Sequence, residues 1–203
     1  MRLRNNPEAD SIIEKHQNII KNIPIEVDEN TILEIGMGKG EMIVQMALNE
    51  PHKKFIGIEK FPTVVLKALK EIDEKNITNL NIVCQDVSKL SGAFSGKVST
   101  IWLTFSDPWP KKRHFKRRLT YKTYLDIYKN LLTSDGVLLI KTDNDSLYNY
   151  SLESLEEYGA NIIFKTTNLY SSPKIEKNIP TGYEIKWHNR GKNINFIEAK
   201  FNK

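Results

Sequence analysis

The chain has 203 residues, 39% of them hydrophobic and 27% charged, which allows one domain with a sizeable core and too little chain for two full-sized ones. No apolar run approaches the roughly 20 residues of a membrane span, and the N-terminal Met1-Arg2-Leu3-Arg4-Asn5-Asn6-Pro7-Glu8 has charge with no apolar region behind it, so neither a membrane anchor nor a secretory signal is expected and the location is cytoplasmic. One cysteine, Cys84, excludes an internal disulfide and a thiolate metal site, and four scattered histidines give no ligand spacing, so no metal is expected.

In chain order, Ile12, Ile13, Ile19, Ile20 and Ile23 give the start of the chain a helical spacing. Thr31 to Ile35 reads as a strand, and Gly40 to Leu48 as a helix with Met42, Ile43, Met46 and Ala47 on one face. Lys54 to Glu59 is a strand, followed by a helix marked by Val64, Val65, Ala68, Leu69 and Ile72. Strands at Leu80 to Cys84 and Val98 to Phe105 come next. Between Leu119 and Leu132, residues Tyr124, Leu125, Tyr128, Leu131 and Leu132 make an amphipathic helix, with Tyr121 and Tyr124 assigned to its packing face. Gly136 to Lys141 is a strand, Asp145 to Tyr158 a helix, Asn161 to Lys165 a short strand, and Asn168 to Ile179 a mobile loop. Tyr183 to His188 alternates and predicts a strand paired as a hairpin with Ile194 to Phe201. This alternation predicts an α/β fold: a mostly parallel sheet covered by helices on both faces, closed by an antiparallel C-terminal hairpin. One domain over 1–203 is expected, with an N-terminal arm and helix over 1–25 and the core over 31–203. In such sheets ligands bind beyond the C-terminal ends of the strands.

Two strand ends carry chemistry. The first runs Leu33-Glu34-Ile35-Gly36-Met37-Gly38-Lys39-Gly40 and opens directly into a helix; glycines there let the backbone turn tightly and approach a ligand. The next strand ends in Glu59, 23 residues beyond Gly36, placed to hold ribose hydroxyls. A dinucleotide fingerprint requires Gly or Ala at position 41; Glu41 stands there and would oppose a pyrophosphate. The fourth strand runs into Phe105-Ser106-Asp107-Pro108-Trp109-Pro110, where two prolines stiffen the exit and Trp109 offers a flat stacking surface. From Lys111 to Arg118 follow six Lys or Arg residues and no acid. The net charge is +5, so this segment alone accounts for the excess. Such a patch suits a polyanion, although a solvated loop with no partner would look the same.

The glycine turn resembles the acid-x-Gly-x-Gly-x-Gly turn of Rossmann-like class I methyltransferases, which implies S-adenosylmethionine. That cofactor has no phosphate and carries a sulfonium and an ammonium, so Glu34 and Glu41 suit it. The run Ser106-Asp107-Pro108-Trp109-Pro110-Lys111-Lys112-Arg113-His114, with Arg117-Arg118-Leu119-Thr120, Lys141-Thr142-Asp143-Asn144 and Thr181-Gly182-Tyr183-Glu184, resembles the bacterial tRNA (guanine-N7)-methyltransferase family. By that resemblance Glu34, Gly36, Gly38, Gly40, Glu59, Asp86 and Asp107 bind the cofactor, and Asp107 is catalytic. Lys111, Asp143, Thr181, Gly182, Tyr183 and Glu184 contact the substrate, and Lys112, Arg113, Arg117 and Arg118 are expected at RNA phosphates. The resemblance implies tRNA as partner and the variable-loop guanine, position forty-six in the usual tRNA count, as target. A methyltransferase for another RNA guanine and a non-catalytic RNA-binding module are the alternatives. Monomer and homodimer are both open.

Overall fold

The computed structural model describes residues 6–202; the first five residues of the expected N-terminal arm, and Lys203, lie outside the described residues. Helix α1 (Ala9–Lys15) is shorter than its isoleucine spacing predicts. Beyond it the chain runs past a short strand β1 (Ile25–Glu26) into β2 (Thr31–Ile35), α2 (Glu41–Asn49), β3 (Lys54–Ile58), α3 (Pro62–Glu74) and β4 (Leu80–Val83). The segment expected to continue α1 instead lies along the edge of β4: Ile19 pairs with Ile82, and the Asn18 side chain donates to the Leu80 carbonyl at 2.9 Å. A sheet edge offers unpaired backbone groups, and satisfying them outweighs a helical spacing.

The second half holds β5 (Phe94–Ser95), β6 (Val98–Thr104), α4 (Lys122–Leu131), β7 (Leu132–Thr142), α5 (Asp145–Glu157), β8 (Ala160–Thr166), α6 (Gly182–His188) and β9 (Asn195–Phe201). Seven strands form one sheet in the order β4-β3-β2-β6-β7-β9-β8. The first five run parallel, and β9 is antiparallel to both its neighbours. All five residues of β2 are buried, as a central parallel strand covered on both faces requires. Separate apolar clusters fill the two faces: α2 and α3 supply one, α4 and α5 the other. From β2 the chain winds outward through β3 and β4, then returns to β6 on the other side. The crevice between β2 and β6 is therefore the switch point, and their C-terminal ends set the place of a ligand.

The expected hairpin differs in its partner. Tyr183 to His188 forms α6, and β9 pairs with β7 and β8. The deciding local signal is Thr181, whose hydroxyl accepts the Glu184 N–H at 3.0 Å and starts a helix. The loop expected over 168–179 holds two 3-10 turns, Leu169–Ser171 and Pro173–Lys177, with Leu169 buried against Ile194 and Phe196.

Candidate active site

The glycine turn after β2 is left-handed at each glycine, with φ of +73° at Gly36, +57° at Gly38 and +77° at Gly40. Their surroundings separate them. A Cβ at Gly40 would stand 2.8 Å from the Ala68 Cβ, so this glycine lets α2 close on α3. At Gly38 a Cβ would meet nothing within 4 Å; the residue faces a cavity of about 540 Å³. Gly36, Glu59, Asp86 and Asp107 line the same cavity, so four of the expected acids and glycines converge there with Gly38. Gly40 and Glu34 do not line it.

Glu59 is fixed by its own turn. Its two oxygens accept the Gly38 N–H at 3.2 Å and the Phe61 N–H at 3.0 Å, while burial raises its carboxyl above the ordinary range. For Asp86, burial pushes the carboxyl up, but the Ser88 hydroxyl and N–H outweigh it and hold it below its usual value. Glu34 sits behind the wall formed by Ile35 and Gly36. Burial lifts its carboxyl to about 7 against the Thr104 hydroxyl, which donates to Oε1, and the more distant Lys141. Its Oε2 is buried with no hydrogen-bond partner among the described residues. Cys84 is inert: burial, with Glu59 nearby, pushes its thiol up to about 11.

The exit from β6 is held in a strained shape. Phe105 and Trp109 both adopt positive φ, +49° and +42°, a conformation that costs a non-glycine residue roughly 1–2 kcal/mol. Arg118 maintains the shape from inside: its guanidinium donates to the Pro108 and Trp109 carbonyls at 3.0 and 3.2 Å and lies over the Tyr150 ring. Arg118, expected at a phosphate, is thus occupied as a strut. Arg117 lies 4.9 Å over the Trp109 ring and lines the cavity, and the His114 ring meets Trp109 edge-on. Lys111, Lys112 and Arg113 are exposed. Asp107, on the outer curve of the loop, is exposed and neither caps a helix nor takes a hydrogen bond or ion pair from any described residue.

A third element closes on this loop. The Tyr183 ring meets Phe105 at 5.1 Å, tilted by 55°, and its hydroxyl donates to Asp143 at 3.1 Å; burial, then Asp143, push the phenol up to about 12. Glu41 accepts the Gly182 N–H at 2.5 Å. Glu184, expected at the substrate, is wholly buried instead, where it pairs with Lys141 at 2.7 Å and accepts from Asn178 at 2.7 Å. Burial lowers the Lys141 ammonium, and Glu184 offsets part of that. Lys141 also donates to Asn178 and to the Ile179 carbonyl, each at 3.0 Å.

Sequence reasoning gave Lys141 no role of its own. The available signal was a lysine ending the apolar run Val137-Leu138-Leu139-Ile140, because lysine is seldom buried without a partner. It also missed Phe61, which lines the cavity beside Glu59, and Tyr124, which lines it as well as serving its helix face.

The glycine turn, trailing acid and switch-point cavity define a Rossmann-like class I methyltransferase. A family model described as "Putative methyltransferase" matches residues 28–197. The O-methyltransferase of a trans-AT PKS multienzyme of Brevibacillus brevis, solved with S-adenosyl-L-homocysteine, shares the fold: TM-score 0.55, 18% identity, 84% of this chain and 66% of that one. Curated relatives named tRNA (guanine-N(7)-)-methyltransferase match almost end to end. That of Mycoplasmopsis synoviae is 56% identical over 98% of this chain and 97% of its own length, and that of Mycoplasmopsis pulmonis 50% identical over 100% of both. The chain belongs to the tRNA (guanine-N7)-methyltransferase family.

Proposed function

We infer that the protein transfers a methyl group from S-adenosylmethionine to N7 of a guanine in tRNA, the variable-loop guanine at position forty-six. The observation that carries the reading is Asp107: a carboxylate with no bond to any described residue, lining a cavity shared with a glycine turn and two further acids, with the basic loop's Arg117 also in its lining. The donor set fits this cofactor. The open approach at Gly38 and the Glu59 and Asp86 carboxylates favour a ligand bearing hydroxyls and positive charge over one bearing phosphates.

When bound, S-adenosylmethionine supplies a methyl group activated by its sulfonium. Guanine N7 has a free lone pair and no proton, so the protein needs no general base, and its work is alignment and charge. Glu59 would hold the ribose hydroxyls with the lone pairs that Gly38 and Phe61 leave free, and Asp86 would hold the adenine end with the oxygen that Ser88 leaves free. Asp107 accepts from the N1–H and N2–H of the guanine. The base becomes cationic as it is methylated, so this contact is stronger in the transition state than before it. Asp143 and Tyr183, whose ring meets the cavity-lining Phe105, contact the base, and Thr181 and Glu184 hold α6 in place behind Tyr183. Lys111, Lys112 and Arg113 meet the phosphates around the extruded base.

The test is methyl transfer from labelled S-adenosylmethionine to unmodified tRNA, with the product mapped by cleavage at N7-methylguanine. Label at one variable-loop guanine, lost when that guanine is replaced, is the expected result. Cofactor binding without transfer to tRNA sinks the substrate assignment, and loss of both sinks the site.

A further inference from the structure

Beyond Tyr183, the outer face of α6 takes no part in the chemistry above, yet the helix is fastened with unusual care. Glu184 is held inward by Lys141 and Asn178, Thr181 caps the first turn, and Glu41 takes the Gly182 N–H. Seven residues do not hold a helix in water by themselves, so these bonds are what keep it formed. What they display outward is Tyr183, Lys186 and the half-buried Trp187, at the i, i+3, i+4 spacing of one helix face, with Arg190 in the turn just beyond the helix. The rings run in file. Phe105, at the root of the catalytic loop, lies 5.1 Å from Tyr183; Tyr183 lies 6.0 Å from Trp187; and the Arg190 guanidinium sits 5.3 Å over the Trp187 ring. Tyr183 is 45% exposed and Lys186 and Arg190 are exposed.

Charge along the file is one-sided. From 185 to 197 the chain holds Lys186, Arg190 and Lys192 and no acid; of these Lys192 is paired, with Asp145 at 3.2 Å. The acids, Asp143 and Glu41, lie at the inner end of the helix. An exposed ring and a half-exposed one, interleaved with cations, suit unpaired nucleic acid: any base can stack on a ring while its phosphates run past the charges. A second copy of this chain, docked through the same face about a two-fold axis, would bring Lys186 and Arg190 against their own equivalents.

We propose that the outer face of α6 is a second RNA subsite. It takes one or two unpaired nucleotides beside the target guanine, with Tyr183 and Trp187 stacking bases and Lys186 and Arg190 holding phosphates. This rests on tRNA being the substrate. It adds to the basic loop a contact 65 or more residues away in sequence, on the helix whose Tyr183 meets the cavity-lining Phe105.

The experiment compares full-length wild type, Trp187→Ala, Trp187→Phe and the double variant Lys186→Gln/Arg190→Gln. It measures tRNA Kd, methyl-transfer KM and kcat, cofactor Kd and sedimentation. Trp187→Ala should raise tRNA Kd and KM roughly ten-fold, through the lost stacking, without a matching fall in kcat or change in cofactor Kd. Trp187→Phe should keep most of the affinity because it keeps a ring face. The double variant should reduce the slope of log K against log salt by about one per charge removed. A Trp187→Ala Kd within two-fold of wild type overturns the subsite. So does equal loss in the Ala and Phe variants with a lowered Tm, which would make the ring a packing residue, and so does a changed sedimentation with tRNA affinity intact, which would make the face a contact between copies. Wild type is assayed first: if it fails to methylate tRNA, the substrate assignment itself falls, whereas an active wild type beside an unaffected Trp187→Ala overturns the subsite alone.

Discussion

Two acids of the family's motifs, Asp107 and Glu184, belong to two elements that meet through Phe105 and Tyr183 and are treated in opposite ways. Asp107 sits on a loop whose backbone is strained at Phe105 and Trp109 and braced by Arg118, and its own carboxylate is left without a bond. Glu184 begins a short helix and has no exposed surface; Lys141, Asn178 and the Thr181 cap consume its neighbourhood. An acid kept solvated and unpaired is available to a ligand, and its removal costs the fold little. An acid buried against an ammonium belongs to the scaffold, and its removal leaves a charge with nowhere to go. Motif membership is shared, but the work differs.

The sharpest way to break that contrast is to exchange the fates of the two variants. Glu184→Ala should destabilise the protein by about 3–5 kcal/mol, because Lys141 is left buried and unpaired. Lys141 already has a lowered pKa through burial, so its folded value lies below the unfolded one. In the interval between them the unfolded chain binds the extra proton, and the variant's stability should rise with pH there. Urea denaturation across alkaline pH reads both effects, and the apolar double variant Lys141→Met/Glu184→Leu should recover much of the loss. Asp107→Asn should do the reverse. Turnover should fall by roughly 10²–10³-fold, the size of one lost transition-state contact, with the urea midpoint unmoved. A stable but inactive Glu184→Ala, or an unfolded Asp107→Asn, would reverse the assignment of the two acids.

Much of this contrast was hidden from the sequence. The sheet, its order of helices and the two strand ends were legible because apolar periodicity and glycine spacing are local signals, and the motif containing Asp107 follows a strand end and lines the cavity. Burial is not a local signal. Nothing between Thr181 and Glu184 says that the glutamate turns inward, since its partner Lys141 lies 43 residues away in sequence. The alternation Tyr183, Ile185, Trp187 reads as a strand because those residues are apolar; in the protein Tyr183 and Ile185 are exposed, Trp187 is half-buried and Glu184 is inside, so a pattern that assumes apolar means buried gives the wrong period. Likewise Arg117 and Arg118 are adjacent cations in one basic run, and only the fold sends one to the Trp109 ring and the other to the loop's carbonyls.

Glu34 extends the comparison to an acid of intermediate standing, buried like Glu184 but with one oxygen unpartnered like Asp107. Burial raises its carboxyl from 4.5 to about 7, so the folded protein takes up a proton that the unfolded chain does not hold in this interval. Stability from this group is therefore present at low pH and lost as pH rises from about 4.5 to about 7, a change of about 3 kcal/mol. Glu34→Gln should flatten that slope, measured as the difference in unfolding free energy between wild type and variant at pH 5 and pH 7.5. A difference constant with pH would mean that Glu34 stays ionised through an unseen partner.

The smallest expected effect applies the same contrast to cations. Arg113 is exposed and without a partner, whereas Arg118 is half-buried and spends its donors on the Pro108 and Trp109 carbonyls. If Arg113 meets a phosphate, Arg113→Gln should weaken tRNA binding several-fold at low salt, lower the salt slope by about one and leave kcat alone. Arg118→Gln should leave the slope nearly unchanged and reduce kcat, because the loop loses the two bonds that offset its strain at Trp109 and Asp107 is no longer held to one position. Measuring the salt dependence of tRNA Kd beside kcat for both variants separates the roles. A lowered slope in Arg118→Gln would mean that the strut seen here lets go when RNA arrives, making the loop's shape a property of the free protein alone.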